Sequence, residues 1–111
     1  MPISELAMDY MRRWVNDLKI KGFKDVELVQ ARLPYIEAKR PDGLKMKGFA
    51  AFAPKDLDIK LWSGIEEAFD DGYVVFLVVP DEMVDSAEDC LRVWKISDKV
   101  FLQSVMKRKE D

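Results

Sequence analysis

The side chains best placed for chemistry in this 111-residue chain fall in one short segment, Glu37-Ala38-Lys39. On an extended strand, residues two apart share a face, so a carboxylate and an ammonium stand side by side there. Asp25 or Glu27, just upstream, can add a second carboxylate from a neighbouring strand. Carboxylates of this kind can hold a hard ion such as Mg²⁺, with the lysine orienting or deprotonating an attacking water. The chain offers little else for catalysis, because it has no histidine and a single cysteine, Cys90. That excludes Ser-His and Cys-His nucleophile pairs, histidine metal sites and cysteine zinc clusters. The plainer reading of Glu37 and Lys39 is an exposed strand face carrying a cross-strand ion pair worth roughly a few tenths of a kcal/mol.

A second group is built for contact rather than reaction. Lys39, Arg40, Lys45 and Lys47 flank one hairpin, with Tyr35 close by. They form a candidate phosphate-contacting face, since backbone contacts of this type need no sequence code. The alternative is a solvated hairpin tip whose charges protect a sheet edge. Acidic residues gather at element boundaries (Asp56, Asp58, Asp70, Asp71, Asp81, Glu82 and Asp85) without EF-hand spacing, and serve as caps and helix-dipole partners. Cys90 lies on the apolar side of a helical pattern and reads as a buried, inert thiol. Lys107-Arg108-Lys109 is too short, and too close to Glu110-Asp111, to act as a basic arm.

The elements that must position these groups are organised around residues 73–79, Tyr-Val-Val-Phe-Leu-Val-Val. Seven β-branched, aromatic or apolar residues without a polar break predict a strand covered on both faces. Upstream, Ala7, Met11, Trp14 and Leu18 recur at helical spacing and predict a helix over 1–22, capped by Ser4 and stopped by Gly22. Strands follow over 25–33, 35–40 and 44–53, divided by Pro34 and by the turn Pro41-Asp42-Gly43. In the third, Leu44, Met46, Ala50 and Phe52 take one face and Lys45 and Lys47 the other. Gly48 marks a bulge or a close backbone approach. A helix is predicted over 56–70, with Asp56 or Asp58 as cap and a capping-box restart possible at Ser63-Gly64-Ile65-Glu66. Another helix spans 81–94, with Met83, Val84, Ala87, Leu91 and Trp94 inward, then a short strand over 99–105 and a charged tail.

Length and composition predict one domain over 1–111. Hydrophobic residues make up 49% and charged residues 35%, the balance of a soluble globular protein. The net charge of -3 offers no overall attraction to nucleic acid, so any such binding must rest on a local basic face. With no targeting or membrane-spanning pattern, the expected location is the cytoplasm. Three Trp, three Tyr, six Phe and six Met leave apolar surface to spare, and a self-complementary dimer patch is expected.

The order helix, three-strand meander, helix, strand, helix, strand resembles the core of the restriction-endonuclease-like superfamily, the PD-(D/E)XK nucleases. The resemblance rests on that order, on the hairpin Arg32-Leu33-Pro34-Tyr35-Ile36-Glu37-Ala38-Lys39-Arg40-Pro41-Asp42-Gly43, and on the apolar strand ending in Val78-Val79-Pro80. It implies an α/β fold with a mixed sheet: an antiparallel meander, a buried central strand and flanking helices in the order αβββαβαβ. It also implies an aspartate after a proline on the second strand and an acid-x-lysine on the third, holding Mg²⁺. Here Tyr35 follows Pro34, and the third strand reads Gly48-Phe49-Ala50-Ala51-Phe52-Ala53, with neither carboxylate nor lysine. The expectation is a degenerate, non-cleaving member that needs no cofactor and acts by binding nucleic acid or a protein partner. Two alternatives stand beside it. One is an active Mg²⁺-dependent nuclease using Glu37 and Lys39 with Asp25 or Glu27; the other is a small homo-oligomeric assembly protein.

Overall fold

The structure, a computed structural model, describes residues 5–30 and 33–105. Its elements run α1 (Glu5–Ile20), β1 (Lys24–Val29), β2 (Tyr35–Lys39), β3 (Lys45–Ala50), α2 (Ile59–Asp70), β4 (Val74–Pro80), α3 (Val84–Val93) and β5 (Val100–Val105), with 3-10 turns before α2 and α3. The five strands form one sheet in the order β1-β2-β3-β4-β5. The first three pair antiparallel, whereas β3–β4 and β4–β5 pair parallel across the α2 and α3 crossovers. The chain is therefore a mixed α/β protein. The expected Ser4 cap and the charged tail lie outside the described residues.

The sheet separates two apolar layers. On one face Ala7, Met11, Trp14 and Leu18 of α1 pack against Ile36, Ala38, Met46, Ala50 and Val78. On the other, Leu61, Ile65 and Ala68 of α2 and Ala87 and Leu91 of α3 pack against Phe49, Ala51, Val75, Leu77 and Val79. As an interior strand β4 thus serves both layers, although Val74 and Phe76 at its start are only half-buried. Strict alternation along β3 and β4 assigns each side chain to its layer, and a one-residue slip of β3 would turn Lys45 and Lys47 into the α1 layer.

Local details decide between some sequence expectations and depart from others. Asp58 caps α2, its carboxylate accepting from the Leu61 N–H at 3.1 Å. The helix then runs without a restart through Ser63 and Gly64, because the apolar face of Leu61, Ile65 and Ala68 continues in register. Asp56 is buried instead, with one carboxylate oxygen accepting from the Phe52 and Ala53 N–H groups at 3.0 and 3.1 Å. It thereby holds the chain as it leaves β3. Cys90 is half-buried rather than enclosed, beside a hollow lined by Trp62, Val93 and Trp94. Of the three tryptophans only Trp14 is fully in the core.

Gly48 marks a close approach. A Cβ built there would stand 2.6 Å from the Trp14 ring, and that ring is itself walled in. Gly48→Ala should cost about 1–3 kcal/mol, the scale of core overpacking. Denaturant unfolding of the variant measures it, and an unchanged midpoint would show that α1 shifts freely on the sheet.

Candidate functional site: a buried lysine beside a lysine ladder

Three helices cannot cover a five-stranded sheet completely. α1 lies over β1–β3 on one face, and α2 and α3 lie over β3–β5 on the other. The half of the α2 face belonging to β1 and β2 is left without a helix. The candidate residues collect there.

Strand register fixes their order. Lys24 on β1 stands opposite Lys39 on β2, and Lys39 opposite Lys45 on β3. These three exposed lysines form a ladder across three strands. One step along lies a second row, in which Glu27 faces Glu37 and Glu37 faces Lys47. Like charges directly opposite one another destabilise a sheet, and the ladder has two such contacts in succession. A bulge in β1 creates this register, for three steps from Lys24 to Glu27 match two from Lys39 to Glu37. Asp25 sits in that bulge with a φ of 54°, a left-handed conformation that aspartate tolerates better than most residues. Sequence reasoning missed Lys24 because the bulge cannot be read from alternation.

Lys47 is the centre of the site. The sequence pattern places it beside Lys45 on a solvated face, yet it is only 8% exposed, while every other described lysine is exposed. Its strand neighbours explain this. Tyr35 and Tyr73 sit diagonally across from it on β2 and just before β4, a spacing that long side chains bridge. Its Nζ lies 4.6 Å from the centre of the Tyr35 ring and 4.7 Å from that of Tyr73, so the cation is clasped by two π faces. Among the described residues it forms no ion pair, although Glu37 is its direct cross-strand neighbour. The Glu37 carboxylate is engaged elsewhere, accepting from the Tyr73 hydroxyl at 3.1 Å. Tyr73 therefore spans β3 from the β4 side to β2 and roofs Lys47 on the way.

Gly72 makes that reach possible. It closes the end of α2 at a φ of +85°, where the Tyr73 N–H bonds back to the Ala68 carbonyl at 2.9 Å. Of the remaining candidates, Arg40 is tied into the hairpin turn by an ion pair with Asp42 at 3.0 Å, which separates it from the lysine ladder in role. Asp25, Glu37, Lys39 and Lys45 share a small hollow with Tyr73. On the other side of Lys47, a groove of about 570 Å³ runs between α2 and the β2–β3 strands, with Tyr35, Phe49, Lys60 and Glu67 in its walls.

The arrangement suits anions better than a cation. For Mg²⁺, Glu37 would need Asp25 or Glu27 and further oxygen ligands around one point. Among the described residues no three acidic side chains gather in that way. The position opposite Tyr35 is taken by Phe49, whose ring centre is 6.0 Å from that of Tyr35. These residues do not fit a Mg²⁺ site.

The two clasping phenols hold their protons tightly. Burial raises the pKa of Tyr73 above the ordinary 10.0, and the hydrogen bond to Glu37 and its charge add to this. Burial likewise raises Tyr35, with the Glu37, Glu67 and Glu27 carboxylates contributing. The folded chain then binds more protons than the unfolded one above about pH 10. The stability involved is complete below that pH and is lost as pH climbs through the raised native values. Near-ultraviolet titration should show phenolate forming at higher pH in the native protein than in denaturant. Glu37→Gln should move the Tyr73 transition back toward 10.0. Coincident native and denatured curves would refute the clasp.

No family model matches this sequence, and neither a curated protein nor a solved structure shows significant similarity to it.

Proposed function

We propose that this chain is a restriction-endonuclease-like domain that binds nucleic acid through its phosphates and does not cleave it. The observation that carries the reading is the ladder Lys24, Lys39 and Lys45, which leads to the buried Lys47, without an ion pair among the described residues. Two like-charge contacts in a row are costly in the free protein and become favourable against a polyanion. The order of elements supports the fold family, and the pairing of β2 with both β1 and β3 suits it. Loss of cleavage follows from Tyr35 at the position where that family keeps one carboxylate, and from the segment Gly48 to Ala53, which has no acidic residue where the family keeps the other. The same segment lacks the lysine as well.

Fluorescence anisotropy with labelled single-stranded, duplex and branched oligonucleotides tests this across a salt series. Binding should weaken steeply with salt. Removing Lys24, Lys39 and Lys45 together should reduce the log–log slope by about 0.7–0.9 per lysine. No binding to any nucleic acid at low salt would defeat the proposal and leave a protein partner as the ligand. Incubation with Mg²⁺ or Mn²⁺ should leave every substrate uncut. Cleavage abolished by Glu37→Gln and Lys39→Ala would establish an active nuclease instead.

A second reading, self-association, draws on one specific feature. Phe76 and Phe101 stack at 5.1 Å on the α1 side of β4–β5, at the margin of that apolar layer, and Phe101 is 54% exposed at the sheet edge. Sedimentation should show a dimer that Phe101→Ser disperses. A pure monomer at high micromolar concentration would remove this reading.

A further inference from the structure

We infer that the groove between α2 and the β2–β3 strands holds one unpaired nucleotide of a bound strand, its phosphate on Lys47 and its base against the apolar wall. This rests on the nucleic-acid reading above and narrows it to single-stranded or frayed substrates.

Three observations converge on the groove. Lys47 is more than nine-tenths buried, lines the groove and has no ion pair among the described residues. A cation held by two aromatic rings is kept desolvated, and an incoming phosphate oxygen gains a charge-assisted hydrogen bond without displacing a carboxylate. The wall beside it carries the apolar side chains of Leu33 and Ile59 and the ring of Tyr35, while Phe49 also lines it but is only 2% exposed. Stacking on such a surface suits any base face but requires that the base leave its duplex. Finally, the groove of about 570 Å³ is lined on its α2 side by Ser63, Gly64 and Glu67, and Gly64 lets the helix pass close to the wall, since a Cβ there would press on Leu33 at 3.0 Å. Pockets of a few hundred Å³ are the size that encloses a small ligand.

The charges in the lining agree with a phosphate ester carrying a polar base. Lys47 and Lys60 outnumber the single carboxylate there, Glu67. Glu67 is left as an acceptor for a base amino group or a sugar hydroxyl. The ladder lies on the far side of Lys47, across Tyr73 and Glu37, so phosphates of the same strand can follow the lysines while one nucleotide turns in.

The test uses the full chain and four probes: inorganic phosphate, a nucleoside, its 5′-monophosphate and a short single-stranded oligonucleotide. Backbone and methyl shifts in NMR titrations report the site. The monophosphate should shift Leu33 and the α2 residues lining the groove and bind more tightly than either phosphate or nucleoside alone. Lys47→Met should weaken it about tenfold or more, the loss of one charge-assisted hydrogen bond to phosphate. Ser63→Phe, at an exposed position on the groove rim, should block the monophosphate while leaving the fold intact by circular dichroism. Removing the ladder lysines should weaken the oligonucleotide and spare the monophosphate. If oligonucleotides bind through the ladder but Ser63→Phe changes nothing, the groove inference fails and the broader function stands. If no probe binds, both fail. Equal shifts from inorganic phosphate and the monophosphate would reduce the site to an anion site and refute the base wall.

Discussion

The constraint that shapes this molecule is coverage. A five-stranded sheet presents two faces, and three helices must hide both. The chain distributes them asymmetrically, with one helix over the antiparallel half and two over the parallel half. Each face therefore keeps one stretch uncovered, at opposite ends. One is charged, where β1 and β2 carry lysines and glutamates; the other is aromatic, around Phe76 and Phe101.

Lys47 shows how the boundary between covered and uncovered sheet creates chemistry. It belongs to β3, an interior strand with helices over both faces, and so its stem is buried. Its neighbour β2 has no helix on that side, and so the tip still borders a groove. A lysine in such a place ordinarily finds a carboxylate, and Glu37 is the nearest in register. Tyr73 takes that carboxylate for its own hydroxyl and offers the lysine a ring instead. The exchange leaves the cation's attraction for an anion unspent, since a π face neutralises much less of its charge than a carboxylate does.

Much of the architecture was legible in the sequence. The unbroken apolar run before Pro80 could only be an interior strand, and the 7-11-14-18 stripe could only be a helix with one buried face. The meander followed from Pro34 and from the Pro41-Asp42-Gly43 turn. What was not legible depended on contacts between elements distant in the chain. Nothing in Lys45-Met46-Lys47 distinguishes its two lysines, because what separates them is the pair of tyrosines arriving from β2 and from the end of α2. The ladder needed a bulge at Asp25, which alternation does not announce. Ser63-Gly64-Ile65-Glu66 resembled a helix start because capping residues are also tolerated inside a helix whose apolar face continues. Glu37 and Lys39 were correctly placed on one strand face, but the partners that decide their role lie on β1 and β3.

The change from antiparallel to parallel pairing at β3 also orders events in time. β1, β2 and β3 are joined by short connections, and α1 lies on them, so their contacts close early and at small entropic cost. β4 and β5 join only after the crossovers α2 and α3 have been drawn over the sheet, which makes their pairing late. The clasp around Lys47 draws one ring from each half, Tyr35 from the early one and Tyr73 from the late one. Until β4 docks, that lysine is an ordinary solvated ammonium. Its burial therefore requires both halves of the sheet to be in place.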